Sequence, residues 1–221
     1  AQEHTTPRSP IDRVGHIGVH PQKQFGLNYI GVALELGRLS ADQMRVLADV
    51  AEKYGDGDIR LTVWQNPLIP FVPDTQVRAA CAEIEAAGMT VNASAFQAGV
   101  VACTGRWGCK FAAAYTKQDA LDLVRLLELK FELKSPINIH LTGCNNSCAQ
   151  HYIGDIGLMG TAAPGGGEGY NILLGGGSDL DQGLARPLVG PVAAADIHDI
   201  IEHVIACFVA RAAPNEAFLS F

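Results

Sequence analysis

Two hydrophobic periods alternate along this chain, and the clearest belongs to a helix. In "LSADQMRVLADVAEKYGDG", residues 39–57, apolar Met44, Leu47, Ala51 and Tyr54 recur on one helical face. Ser40 stands at the N-cap position, Gln43 follows three residues later to close a capping box, and Gly55 ends the run. Ahead of it, "LNYIGVALEL" reads as a β-branched, glycine-punctuated strand. Behind it, "DIRLTVW" alternates Ile59, Leu61 and Val63 against Arg60, Thr62 and Trp64, the period of a half-buried strand. "QNP" then turns the chain into a further strand, "LIPFV". A second helix, "DTQVRAACAEIEAAG", places Val77, Cys81 and Ile84 inward. The order strand, helix, strand, strand, helix over residues 27–88 predicts a compact ferredoxin-like α+β unit.

Beyond Thr90 the texture changes to glycine-rich loops separated by two strong helical patterns. "YTKQDALDLVRLLELKF" carries Thr116 and Asp119 at its start and Leu121, Val124 and Leu127 along one side. "AADIHDIIEHVIACFVARA" stripes Ile197, Ile201, Val204 and Phe208. Both suit cover for a sheet, whose strands are read in "PINIHLTGC", "DIGLMG" and "YNILLGGG". The expected organisation is an opening tail (1–13), a ferredoxin-like half-domain (14–88) and a second α+β half-domain (89–221). No repeat within the chain is evident.

Composition limits the function classes. With 221 residues, 48% of them hydrophobic and 18% charged, the chain can bury a proper core and is not disordered. The net charge of −7 and the lack of any Lys/Arg-rich run leave no electrostatic footprint for nucleic acid. No run approaches the roughly 18 apolar residues of a membrane helix, and the polar start does not resemble an export signal. A cytoplasmic protein is expected, and in a reducing compartment closely spaced cysteines bind metal more often than they pair.

Two cysteine loops carry the chemistry. "VACTGRWGCKFA" places Cys103 and Cys109 as C-x5-C, and "LTGCNNSCAQH" places Cys144 and Cys148 as C-x3-C at the end of a predicted strand. Such a four-thiolate set suits one iron–sulfur cube. Zinc competes for it, although structural zinc favours shorter knuckles in smaller domains, and four buried thiols are the plain alternative. Cys81 and Cys207 lie in apolar helical patterns and read as small hydrophobes. His140 and His151 flank the second pair, as structural histidines or as proton relays. "APGGGEGYNILLGGG" lacks the spacing and the lysine of a phosphate loop, so its glycines are read as tight turns or close backbone approach.

The C-x5-C loop, the "TGC-x-N-x-C" loop, the downstream "DIGLMG…GYNILLGGG" and the "RLT-x-x-QN" strand at Arg60–Asn66 together resemble the siroheme and 4Fe-4S nitrite and sulfite reductases. The resemblance covers almost the whole chain and is nearest to the ferredoxin-dependent nitrite reductases. It implies a ferredoxin-like half-domain followed by a siroheme/4Fe-4S-binding half-domain, corresponding to a C-terminal half whose partner is the N-terminal half of the same enzyme. Cys103, Cys109, Cys144 and Cys148 would hold the cluster, and Cys148 would also be the axial thiolate bridging it to siroheme. Thr142, Gly143, Asn146 and Ser147 would line the siroheme face.

The implied reaction is the six-electron reduction of nitrite to ammonia with ferredoxin as donor. Sulfite reduction, a cobalamin-pathway oxygenase and a non-catalytic iron–sulfur module are the alternatives. No side chain of this chain is assigned a catalytic role of its own. Few cations lie near the cysteines in sequence, namely Arg106, Lys110 and, from the other unit, Arg60 as a vestige of the family's pseudo-symmetry. Trp107 is expected to pack around the cluster.

Overall fold

The computed structural model describes residues 12–177 and 183–221. Residues 1–11 of the expected tail lie outside them. The first unit is a four-stranded antiparallel sheet in the order β1-β2-β4-β3, formed by β1 (Gly18–Pro21), β2 (Leu27–Gly31), β3 (Arg60–Leu61) and β4 (Pro67–Pro73). Helices α1 (Ala41–Tyr54) and α2 (Val77–Ala86) pack on it, and Ile30, Leu47, Val50, Ile69 and Ile84 meet in its core.

The capping box is present in full: the Gln43 amide donates to Ser40 Oγ, and the Ser40 amide donates to Gln43 Oε1. The Gly55 amide closes α1 on the Ala51 carbonyl. Leu47 and Ala51 are buried as expected, whereas Met44 is exposed at the rim of an open apolar cleft of about 600 Å³ that Leu39, Ile59 and Leu61 also line. In α2, Ile84 is buried and Val77 and Cys81 pack at the margin of the core.

One strand expectation changes, and one strand was not expected. "DIRLTVW" supplies only the two residues of β3, because the chain doubles back at Thr62. There Thr62 donates through both its amide and Oγ1 to the Asn66 carbonyl, and Gln65 takes a left-handed φ of 62°. The turn removes Trp64 from the sheet and stacks it on His16. Strand β1 has no signal of its own, since "GVHP" is four residues long and ends in proline. Its His20 lies against Tyr29 with Nε2 2.7 Å from the Ile17 carbonyl.

The second unit is a five-stranded mixed sheet in the order β5-β6-β7-β8-β9: β5 (Val100–Ala102), β6 (Ile139–Thr142), β7 (Ile156–Ala162), β8 (Glu168–Leu174) and β9 (Arg186–Ala193). The short helix α3 (Ala95–Gly99) leads into β5, and α4 (Thr116–Lys130) and α5 (Ile197–Arg211) contribute Leu123, Leu127, Ile197 and Ile201 to the core. Strands β5, β6 and β7 run parallel, and β7, β8 and β9 antiparallel. In "PINIHLT" Ile137, Ile139 and Leu141 alternate with Asn138, His140 and Thr142, yet all four residues of β6 are buried because the strand has a parallel neighbour on each side. Strand β9 was hidden by its two prolines, which an edge strand accommodates. Glycines 165–167, all at positive φ, make the β7–β8 turn.

The two units touch through specific groups. Arg13 reaches the second unit, where it pairs with Asp155. Leu36, in the 3-10 turn Glu35–Gly37, inserts its side chain into the core of the second unit from a left-handed φ of 52°. Among the described residues, no helix is long and apolar enough to cross a membrane.

Candidate metal centre

Adjacent parallel strands β5 and β6 end at Ala102 and Thr142, so both cysteine loops leave the sheet at the same carboxyl edge, the side on which parallel sheets place their ligands. Cys103 continues the ladder by donating its amide to the Leu141 carbonyl at 3.0 Å. The loops then contact one another: the Gly143 amide donates to Cys103 Sγ at 3.2 Å, and the Ala113 amide to the Gly143 carbonyl at 2.7 Å. Gly143 is required at this crossing, because an added Cβ would stand 2.6 Å from that of Ala112.

Each loop has its own fixation. The Cys109 amide donates to the Gly105 carbonyl, which winds the first loop into a turn. Thr116, at the start of α4, donates through Oγ1 to the Cys103 carbonyl at 2.7 Å and lies 3.7 Å from its sulfur. In the second loop Ser147 adopts φ 58° and the Gln150 amide returns to the Ser147 carbonyl. A left-handed serine costs energy and persists where surrounding structure holds it, a pattern common at binding sites. Cys103, Cys109 and Cys144 are half-buried, Cys148 and Asn146 are exposed, and Thr142 and Gly143 are buried beneath them.

All six cysteines are free thiols. Among the described residues, no three His, Cys, Asp or Glu groups gather tightly enough for a single ion. The donor set, four thiols from two touching loops with a backbone N–H already on one sulfur, fits a four-iron cube. Cys81 and Cys207 stand apart on helices; burial pushes the Cys81 thiol up, and Cys207 Sγ lies 3.6 Å from His203 Nε2.

Several residues fall elsewhere than expected. Trp107 does not pack around the centre; it is 72% exposed and touches Tyr115 edge-on, because the 3-10 turn at 105–107 directs it outward. Arg106 pairs with Glu168 at 2.8 Å, Lys110 lies over Phe111, and Arg60 lies over Phe71 on an exposed edge strand. His140 is buried with Nδ1 3.1 Å from the Gln150 carbonyl, and His151 Nδ1 is hydrogen-bonded to Thr142 Oγ1. Burial holds the pKa of both histidines below the ordinary imidazole value. Trp64 stacks on His16 and meets His140 edge-to-face, which links the units.

Two residues without a marked role in the sequence reach the strand end ahead of Cys103, and a third fixes the turn beside it. Gln65 Nε2 donates to the Ala102 carbonyl at 2.9 Å. Asn66 accepts the Leu34 amide and donates to His16 Nδ1. Lys117 donates to the carbonyls of Leu36 at 2.5 Å and Ala102 at 2.9 Å. The "QN" of the resembling strand was a signal for Gln65 and Asn66, and Lys117 lay one residue after a recognised helix start.

Two family profiles match the chain: the nitrite/sulfite reductase ferredoxin-like half domain over residues 20–87, and the nitrite and sulphite reductase 4Fe-4S domain over residues 99–217. The chain belongs to the nitrite and sulfite reductase family. It is 39% identical over 192 residues to a ferredoxin–nitrite reductase of Synechococcus elongatus, covering 86% of this chain and 38% of that protein. It is 36% identical over 219 residues to a ferredoxin sulfite reductase of Mycolicibacterium paratuberculosis, covering 95% of this chain and 39% of that protein. Among solved structures, the NirA protein of Mycobacterium tuberculosis superposes with a TM-score of 0.87 at 33% identity, over 97% of this chain and 41% of that one. A dissimilatory sulfite reductase, 13% identical with a TM-score of 0.71, shares the fold. The chain thus spans less than half the length of the Synechococcus elongatus, Mycolicibacterium paratuberculosis and Mycobacterium tuberculosis proteins.

Proposed function

We propose that this chain is the cluster- and siroheme-bearing half of an assimilatory nitrite reductase, which reduces nitrite to ammonia with six electrons from ferredoxin. The observation that carries the reading is the contact of the two cysteine loops at one sheet edge, with the Gly143 amide on Cys103 Sγ. Cys103, Cys109, Cys144 and Cys148 hold the cube, and the exposed Cys148 is the thiolate left free to reach a second iron. Thr142, Gly143, Asn146 and Ser147 supply the siroheme face: two buried small groups beneath, and a left-handed serine that turns the loop.

When bound, the cluster and siroheme would supply the one-electron storage that a multi-electron reduction needs. The chain's own part is to fix the thiols, donate N–H to sulfur and keep bulk from the loop crossing. Nitrite is favoured over sulfite because relatives in Synechococcus elongatus, maize and spinach carry the name ferredoxin–nitrite reductase. The same reading takes the N-terminal half of the enzyme and ferredoxin as partners, and six free cysteines agree with a reducing, cytoplasmic setting. Two separate hydrophobic clusters support division into two half-domains near residues 14–88 and 89–221, although Leu36 joins the second cluster and Met89 and Val91 the first.

The test is iron and sulfide analysis of anaerobically purified protein carrying single cysteine-to-serine changes. Cluster is expected to be lost at positions 103, 109, 144 and 148 and kept at 81 and 207. Loss at 81 or 207 with retention at 144 would refute the ligand set.

A further inference from the structure

We propose that Lys117 raises the reduction potential of the iron–sulfur cluster by holding a fixed positive charge behind Cys103. The inference rests on the reading of the four cysteines as cluster ligands. The cations identified near the cysteines in sequence are poorly suited to this task. Arg106 is exposed and neutralised by Glu168, while Lys110 and Arg60 are exposed and lie over aromatic rings. Solvent and salt screen such charges. Lys117 is half-buried and, among the described residues, forms no ion pair. Its ammonium is held by two neutral carbonyls, which fix its place and leave its charge uncompensated.

The place is specific. Ala102, one of the two acceptors, directly precedes Cys103, and Thr116, the neighbour of Lys117, binds the Cys103 carbonyl. Both residues lie in the first turn of the 15-residue helix α4, whose positive end adds to the same field. The Gly143 amide reaches the Cys103 sulfur from the opposite loop. The other acceptor, Leu36, is fixed by a left-handed backbone and a buried side chain, so the carbonyl does not follow a lysine swinging into solvent. A cluster that accepts one electron gains one negative charge. A buried cation nearby favours that state and raises the potential.

Redox titration of the cluster in the anaerobically purified chain, followed by electron paramagnetic resonance, tests this against Lys117→Gln, which keeps hydrogen-bond donors without charge, and Lys117→Arg, which keeps the charge. Lys117→Gln should retain full iron and sulfide while its midpoint moves to more negative potential, by about tenfold in the oxidised-to-reduced ratio at fixed poise, or about 59 mV for one electron. Lys117→Arg should stay near the wild type. An unmoved midpoint in Lys117→Gln, an equal fall in Lys117→Arg, or a neutral variant unable to hold the cluster would each overturn the tuning role, the last by making Lys117 structural. A wild-type chain without a four-iron cluster overturns the cluster reading itself, and the tuning role with it.

Discussion

Arg13 closes on the fully buried carboxylate of Asp155 at 2.6 Å, across 142 positions of sequence. Asp155 also accepts the Asn138 amide at 2.8 Å, so one carboxylate ties the lead-in segment to the start of β6, the strand that ends at the second cysteine loop. A buried carboxylate stripped of its cation is far more costly than the pair is favourable. Arg13→Ala should therefore lower stability by about 3 kcal/mol, read from urea unfolding. Adding Asp155→Asn should recover part of the loss, because it removes the stranded charge. A single-variant loss below about 1 kcal/mol would mean that water replaces the guanidinium.

Cys148 differs from the other three cysteines of the loops in being exposed. A sulfur that bridges a cube to a second iron needs an open side, and the left-handed Ser147 precedes it. In enzyme loaded with both groups, Cys148→Ser should abolish the magnetic coupling between haem and cluster. Cys103→Ser should act mainly on cluster retention. Coupling that survives Cys148→Ser removes the bridge.

Buried histidines set a pH response. Burial depresses the pKa of His16, His140 and His151. As pH falls through about 6.5 the unfolded chain takes up protons that the folded chain refuses, so stability is complete above that value and declines below it. The slope reaches about 1.4 kcal/mol per pH unit for each histidine that stays neutral. Asp119, whose pKa burial raises, acts in the opposite sense nearer pH 4. Urea unfolding between about pH 7.5 and 5.5 should show this decline, and His140→Asn should flatten it. An unchanged slope in that variant would mean His140 charges freely in the fold.

How far the sequence announced this arrangement depended on whether the signal was local. The Ser40–Gln43 box and the α4 and α5 stripes are set within a few residues, and each is found in place. The contacts that bring the loops together are not local. Gln65 reaches Ala102, Lys117 reaches Leu36, and Gly143 meets Cys103 forty residues away. The outward direction of Trp107 was illegible for a related reason: it lies between two cysteines in sequence, but backbone geometry in a tight turn decides where it points. The full burial of β6 was not legible either, because alternation in sequence cannot reveal a parallel neighbour on each side.

The same non-local logic bears on what the chain does alone. Siroheme carries many carboxylates, and holding them in a partly dry site requires cations. Near the cysteine loops Arg106 is paired with Glu168 and Lys117 is committed to two carbonyls, so this chain offers few. On the ferredoxin-like unit, Leu61 and Val63 are 86% and 70% exposed beside the apolar cleft that Met44 and Ile59 line. An apolar patch of this kind favours association. The isolated chain should therefore bind siroheme weakly, show concentration-dependent self-association in sedimentation velocity, and form no ammonia from nitrite when given siroheme and a reductant. Leu61→Lys with Val63→Lys should reduce the association without disturbing the cluster loops. Turnover by the isolated chain at the rate of an intact reductase would show that its own cations suffice to hold siroheme.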